Sequence, residues 1–146
     1  MSCLHSLGRL VLGATLALGL AAAAAAQPPP AGQAPDPVMA RARTVTFPGP
    51  EGVTLRALLV PAEGGRRGVP VIALHGCGGI GGPDRPILPP RRERDWAARL
   101  SALGYPVLFP DSFGSRGVTE VCRAGEGAIL PETLRRADTH AAAAWT

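Results

Sequence analysis

Leu74-His75-Gly76-Cys77-Gly78-Gly79 holds the residue types and spacing that could do chemistry in this chain. Val71, Ile72, Ala73 and Leu74 run unbroken and apolar into it. Such a run predicts a short strand covered on both faces of a parallel sheet. The glycines let the backbone turn sharply and aim bare N–H groups at one point. Acyl transfer from an ester needs that point, because its tetrahedral intermediate carries negative charge on the former carbonyl oxygen. The backbone N–H groups of Cys77 and Gly78 are the candidate oxyanion donors. His75, Gly76 and Gly79 are read as residues that shape the loop, with His75 fixing backbone through hydrogen bonds. No Gly-x-Ser-x-Gly or Gly-x-Cys-x-Gly occurs in the 146 residues. The sequence therefore offers an oxyanion loop and no catalytic nucleophile, acid or base.

A second candidate region is Asp111-Ser112-Phe113-Gly114-Ser115-Arg116-Gly117. It follows the apolar run Pro106–Pro110, at the strand end where α/β sheets bind ligands. Ser112 and Arg116 are candidate substrate-binding residues, because a guanidinium can grip a carboxylate with two charge-assisted bonds. The alternative is a solvated loop arginine. Cys77, Asp111 and His140 stand in the order nucleophile, acid, base. The prolines after Cys77 deny it the strand-to-helix turn that a nucleophile needs, and His140 falls inside a helical pattern. Gly76-x-Gly78-x-x-Gly81 also spells a dinucleotide fingerprint, whose last glycine should open a helix. Pro83, Pro86, Pro89 and Pro90 oppose that helix.

These residues need elements to position them. Arg43–Phe47 alternates as a strand, Pro48–Gly52 reads as a turn, and Val53–Val60 as a second strand, which together predict an antiparallel hairpin. Val53, Leu55, Ala57 and Leu59 share one face; Thr54 and Arg56 lie on the other. After the strand that ends at His75, no helix can run through Ile80–Pro90. A helix is predicted over Arg91–Leu103, with Trp96, Leu100 and Leu103 on its apolar face and Gly104 as its stop. A strand over Pro106–Pro110 and a helix over Pro131–Trp145 complete the order: a β-hairpin, then β-α-β-α. Alternating strands and helices imply an α/β sheet that becomes parallel after the hairpin.

The ends and the composition bound what surrounds this domain. Arg9, the apolar run Leu10–Ala25 and Ala24-Ala25-Ala26 spell a secretory signal peptide over residues 1–26. Residues 27–37, rich in Pro and Ala, read as a linker, and residues 38–146 as the folded part. The expectation is export to the periplasm or medium, with no stable membrane anchor. The net charge is +4, and all fifteen cationic residues are Arg. Those arginines are scattered among acids, with no aromatic stripe, which argues against nucleic-acid binding. Cys77 and Cys122 survive signal cleavage. In an oxidising compartment the two can pair as a disulfide, since both fall at the C-terminal ends of strands expected to be neighbours. The alternative is two separate small buried residues. No CxxC pair or Cys/His cluster of zinc spacing occurs, so neither a metal nor a cofactor is expected.

Several of these stretches stand together in one family. Leu74–Gly79, Arg94-Asp95-Trp96-Ala97, Leu103–Phe113, Arg116-Gly117 and Val121-Cys122 occur in an order that resembles the N-terminal part of exported dienelactone hydrolases. The resemblance spans roughly Val53 to Trp145. It implies a partial α/β-hydrolase fold that stops before the nucleophile elbow. It implies hydrolysis of a small ester or lactone through an acyl-enzyme, with nucleophile, acid and base beyond residue 146. Dienelactone hydrolases proper carry a Glu on the loop where this chain has His75-Gly76, a departure that favours a Ser-dependent relative. The alternatives are a truncated, non-catalytic or binding module of the same fold and, more weakly, a dinucleotide-binding domain.

Overall fold

The computed structural model describes residues 36–65, 68–123, 129 and 131–146. The signal peptide and most of the linker read from the sequence lie outside the described residues. Among the described residues, no helix is long and apolar enough to cross a membrane.

A short helix opens the described chain. Asp36 caps it, accepting a hydrogen bond from Val38 N at 3.1 Å, and Pro37 sits at its first position. This helix, α1 (Pro37–Arg41), was not predicted, although Asp-Pro is a recognised helix start. The packed part of the chain therefore begins slightly before Val38. Asp36 also pairs with Arg94 at 2.8 Å, and Val38 is buried.

β1 (Arg43–Pro48) and β2 (Thr54–Val60) form the predicted hairpin, pairing antiparallel from Arg43–Leu59 to Pro48–Thr54. The third strand, β3 (Val71–Ile72), and the fourth, β4 (Val107–Pro110), pair parallel, and β2 joins β4 antiparallel. The result is a mixed four-stranded sheet in the order β1-β2-β4-β3. Becoming parallel after the hairpin is thus true of β3 and β4, while β2 meets β4 antiparallel.

Alternation along the strands divides the core between the two sheet faces. Leu58, Val60, Val107 and Phe109 pack on one face with Ala97 of α2 (Arg91–Ala102) and Val38 of α1. Phe47, Leu55, Ala57 and Leu108 pack on the other face with Ala142 of α3 (Arg136–Trp145). Helices thus lie against both faces of the sheet, which makes this a small α/β fold. A π-helical turn, Pro131–Arg135, leads into α3.

The structure corrects two expectations. β3 has only two residues in the ladder and lies at the sheet edge. Val71 and Ala73 pack toward one cluster and Ile72 toward the other, yet Leu74 remains 49 % exposed. Its faces are covered while its outer edge has no partner strand among the described residues, so burial there is partial. In α2 the inward stripe is Ala97 and Ser101, both buried, with Leu100 half-buried beside them. Trp96 and Leu103 are more than 60 % exposed. Small residues let the helix sit close on the sheet, which a stripe led by Trp96 would hold away. Gly104 does stop the helix. It takes φ +93°, and the N–H groups of Gly104 and Tyr105 close onto Ser101 O and Leu100 O at 3.0 and 2.9 Å.

Candidate functional site: a glycine turn at the end of β3

β3 remains tied to β4 until just before the glycines begin. Val71 N donates to Pro106 O and Ala73 N to Leu108 O, each at 2.8 Å. His75 follows, buried, with its ring edge-on to Phe113 at 4.5 Å between centroids. Its Nδ1 lies 2.8 Å from Gly76 O. A carbonyl can only accept, so Nδ1 carries the proton and Nε2 is left as a bare acceptor. Nε2 is buried without a partner among the described residues. Burial lowers the His75 pKa below its ordinary 6.5, opposed by the Gly76 hydrogen bond. The Arg135 charge lowers it further, while Asp111 and Asp138 oppose. At neutral pH the imidazole is thus mostly uncharged. Arg135 also donates to His75 O and lies 5.5 Å above the Phe113 ring.

The next four residues form a tight turn. Gly79 N donates back to Gly76 O at 3.2 Å, leaving Cys77 and Gly78 at the two central positions. Cys77 and Gly78 are exposed, and their N–H groups have no backbone partner among the described residues. The glycines around them fall into two kinds. Gly79 takes φ +69°, and a Cβ there would collide with the Thr119 carbonyl oxygen. Gly81 faces the Asp111 carboxylate, whose Oδ2 would lie 2.5 Å from an added Cβ. Those two are glycine because the fold demands it. Gly76 and Gly78 have no positive φ, and an added Cβ would meet nothing within 4 Å. Their bareness leaves open space on the side-chain side of both residues, next to the turn. Beside the turn lies a pocket of about 350 Å³ lined by Gly78, Ile80, Gly81, Arg85 and Leu88, among others.

The turn is held from its far side. Cys77 and Cys122 form a disulfide with Cα atoms 4.8 Å apart, and Val121 N donates to Cys77 O at 2.8 Å. Both cysteines are exposed, which removes the alternative of two separate buried hydrophobes. The bridge also removes Cys77 from the formal triad with Asp111 and His140. His140 is exposed on α3, and Asp111 is fully buried at the end of β4.

The loop after β4 departs from expectation. Asp111 accepts from Gly114 N through Oδ1 at 2.9 Å, while Oδ2 is buried without a partner among the described residues. Ser115 Oγ accepts from Arg56 N at 2.8 Å. Ser112 is buried, so it presents no substrate-binding surface. Arg116 is neither a free anion receptor nor a solvated loop arginine. It grips Asp138 of α3 with two bonds of 2.7 and 2.9 Å and donates to Ser112 O at 2.8 Å. Asp138 is fully buried, so this guanidinium is committed to the fold. Sequence reasoning missed Arg135 and Asp138. The available signal was their spacing: 135, 138 and 142 share the inward stripe of a helix whose Ala142 is fully buried. Charges on such a stripe call for partners.

The glycine fingerprint from Gly76 to Gly81 is not followed by a helix; the next one begins at Arg91. A dinucleotide would lack the helix N-terminus it requires there. Among the described residues, no three His, Cys, Asp or Glu side chains converge to hold a metal ion. No family model, curated protein or solved structure matches the chain.

Proposed function

We propose that this chain is the N-terminal portion of an exported carboxylic ester or lactone hydrolase resembling dienelactone hydrolases. In this reading the Cys77 and Gly78 N–H groups form its oxyanion hole. The observation that carries it is the turn itself: two adjacent exposed residues whose N–H groups have no backbone partner among the described residues, flanked by glycines that the fold does not require. Donors fixed before the reaction stabilise a developing oxyanion without reorganisation. His75 supports them from below, pinned through its carbonyl by Arg135 and through its ring by Phe113. The acyl group would sit in the open space before Gly76 and Gly78, beside the Arg85-bearing pocket. The resemblance assigns nucleophile, acid and base to positions beyond Thr146. The turn itself supplies charge stabilisation and no covalent step.

The test is an NMR titration of the oxidised chain with an alkyl phosphonate monoester, an anionic tetrahedral mimic. The expected result is a saturable shift of the Cys77 and Gly78 amides. Absence of a shift at either amide, or movement confined to the loop after β4, would overturn the assignment.

A further inference from the structure

We propose that the Cys77–Cys122 disulfide is a redox-reversible clamp on the oxyanion turn. The bridged form fixes the residues that carry the two N–H donors, and reduction by an external dithiol lets them shift. The proposal rests on the oxyanion reading above and adds a control to it.

The turn has two unequal arms. On the β3 side it grows from a strand bonded to β4 and from a buried His75 held by Phe113 and Arg135. On the other side it meets Val118–Cys122, which forms no helix or strand. Among the described residues, one backbone bond crosses that contact, Val121 N to Cys77 O, and the Thr119 carbonyl lies against Gly79. The bridge is therefore the strongest tie on that side, and it lands on a residue that supplies one of the donors. Its placement also suits a reversible device. Buried structural bridges are shielded from thiols, whereas exchange requires access to sulfur, and both Cys77 and Cys122 are exposed. The bridge joins residues 45 apart in sequence, while α2 and β4 between them are held by their own packing and pairing, so its release acts on the turn.

The chemistry balances with a dithiol as the named reductant. Its thiolate attacks one protein sulfur, the S–S bond breaks, and the other sulfur leaves as thiolate and takes a proton. The second thiol of the reductant then attacks the mixed disulfide and releases the first sulfur, which is protonated in turn. Two electrons and two protons pass to the protein, and the reductant leaves as a cyclic disulfide. An oxidised dithiol reverses the exchange.

The experiment uses the full chain carrying Cys3→Ser, so that no third thiol exchanges. Amide hydrogen exchange and the phosphonate titration are run on the oxidised chain, the dithiothreitol-reduced chain and the reoxidised chain. On reduction, Val121 and Gly79 amides are expected to lose protection by about tenfold or more, with Ala73 protection unchanged. Phosphonate affinity is expected to fall by about tenfold, the loss of one hydrogen-bond donor's contribution. Reoxidation restores both, and Cys122→Ser reproduces the reduced behaviour without reductant. Unchanged protection at Val121 and Gly79, or equal phosphonate affinity in both forms, overturns the clamp. Loss of protection throughout the sheet overturns it too, because the bridge is then a staple of the whole fold. A phosphonate that shifts neither amide in the oxidised chain defeats the oxyanion reading instead; the exchange data then decide the clamp alone.

Discussion

His75 is a histidine kept neutral by its place in the fold. Its folded pKa lies below 6.5 because burial disfavours the imidazolium, with Arg135 adding to that and the Gly76 hydrogen bond, Asp111 and Asp138 opposing. Above the unfolded pKa neither state holds the proton, and stability is at its full value. As pH falls through about 6.5 the unfolded chain takes up the proton first, so stability declines until the folded pKa is reached. The urea midpoint is therefore expected to fall as pH drops below about 6.5, and His75→Gln should flatten that decline. A pH slope unchanged by the substitution would place the titrating group elsewhere. At this scale the glycine turn was legible, because glycine, cysteine and histidine in one short run leave few backbone solutions. The fate of Arg116 was not. Its partner Asp138 lies 22 residues away, and no local pattern joins the two.

The helix α3 does at element scale what a single residue cannot: with the turn that leads into it, it docks onto both loops at the C-terminal ends of the strands. Arg135 reaches the loop after β3 and Asp138 the loop after β4. Asp138 is fully buried, and the Arg116 side chain is 10 % exposed. Removing one partner of such a pair strands the other charge. Asp138→Asn is expected to cost about 3–5 kcal/mol in urea unfolding, and the double change Asp138→Asn with Arg116→Met to recover part of it. A single-variant cost below about 0.5 kcal/mol would show that the pair does not hold the loop. The existence and type of β1, β2, α2, β4 and α3 were legible from period and punctuation. The inward face of α2 was not. Periodicity ranked Trp96 and Leu103 as core by hydrophobicity, whereas the sheet accepts Ala97 and Ser101 because only small side chains allow close approach. α1 was lost inside a Pro- and Ala-rich stretch whose composition masked the Asp36-Pro37 start.

At the scale of the molecule, the sheet has an edge at β3 that no other strand pairs with among the described residues. Val71 and Ala73 donate to β4, so the backbone groups of Ile72 and Leu74 face away from it. Leu74 is flanked by two grooves, one lined by Trp96, Leu100 and Phe109, the other by Arg135, Thr139 and His140. An unpaired edge with an exposed Leu74 and an apolar groove on one flank is a template for another strand. The 146-residue chain is expected to self-associate in sedimentation velocity, and Leu74→Lys to suppress it. A concentration-independent monomer with a cooperative thermal transition would contradict this. The central proposal is larger: that the glycine turn belongs to an ester or lactone hydrolase whose nucleophile follows α3. Reading the nucleotide sequence past codon 146 tests it most directly. The account predicts an in-frame continuation with a strand pattern leading into Gly-x-Ser-x-Gly or Gly-x-Cys-x-Gly within a few tens of residues. A genuine stop codon after Thr146, with the chain folding and being exported as it stands, would contradict it.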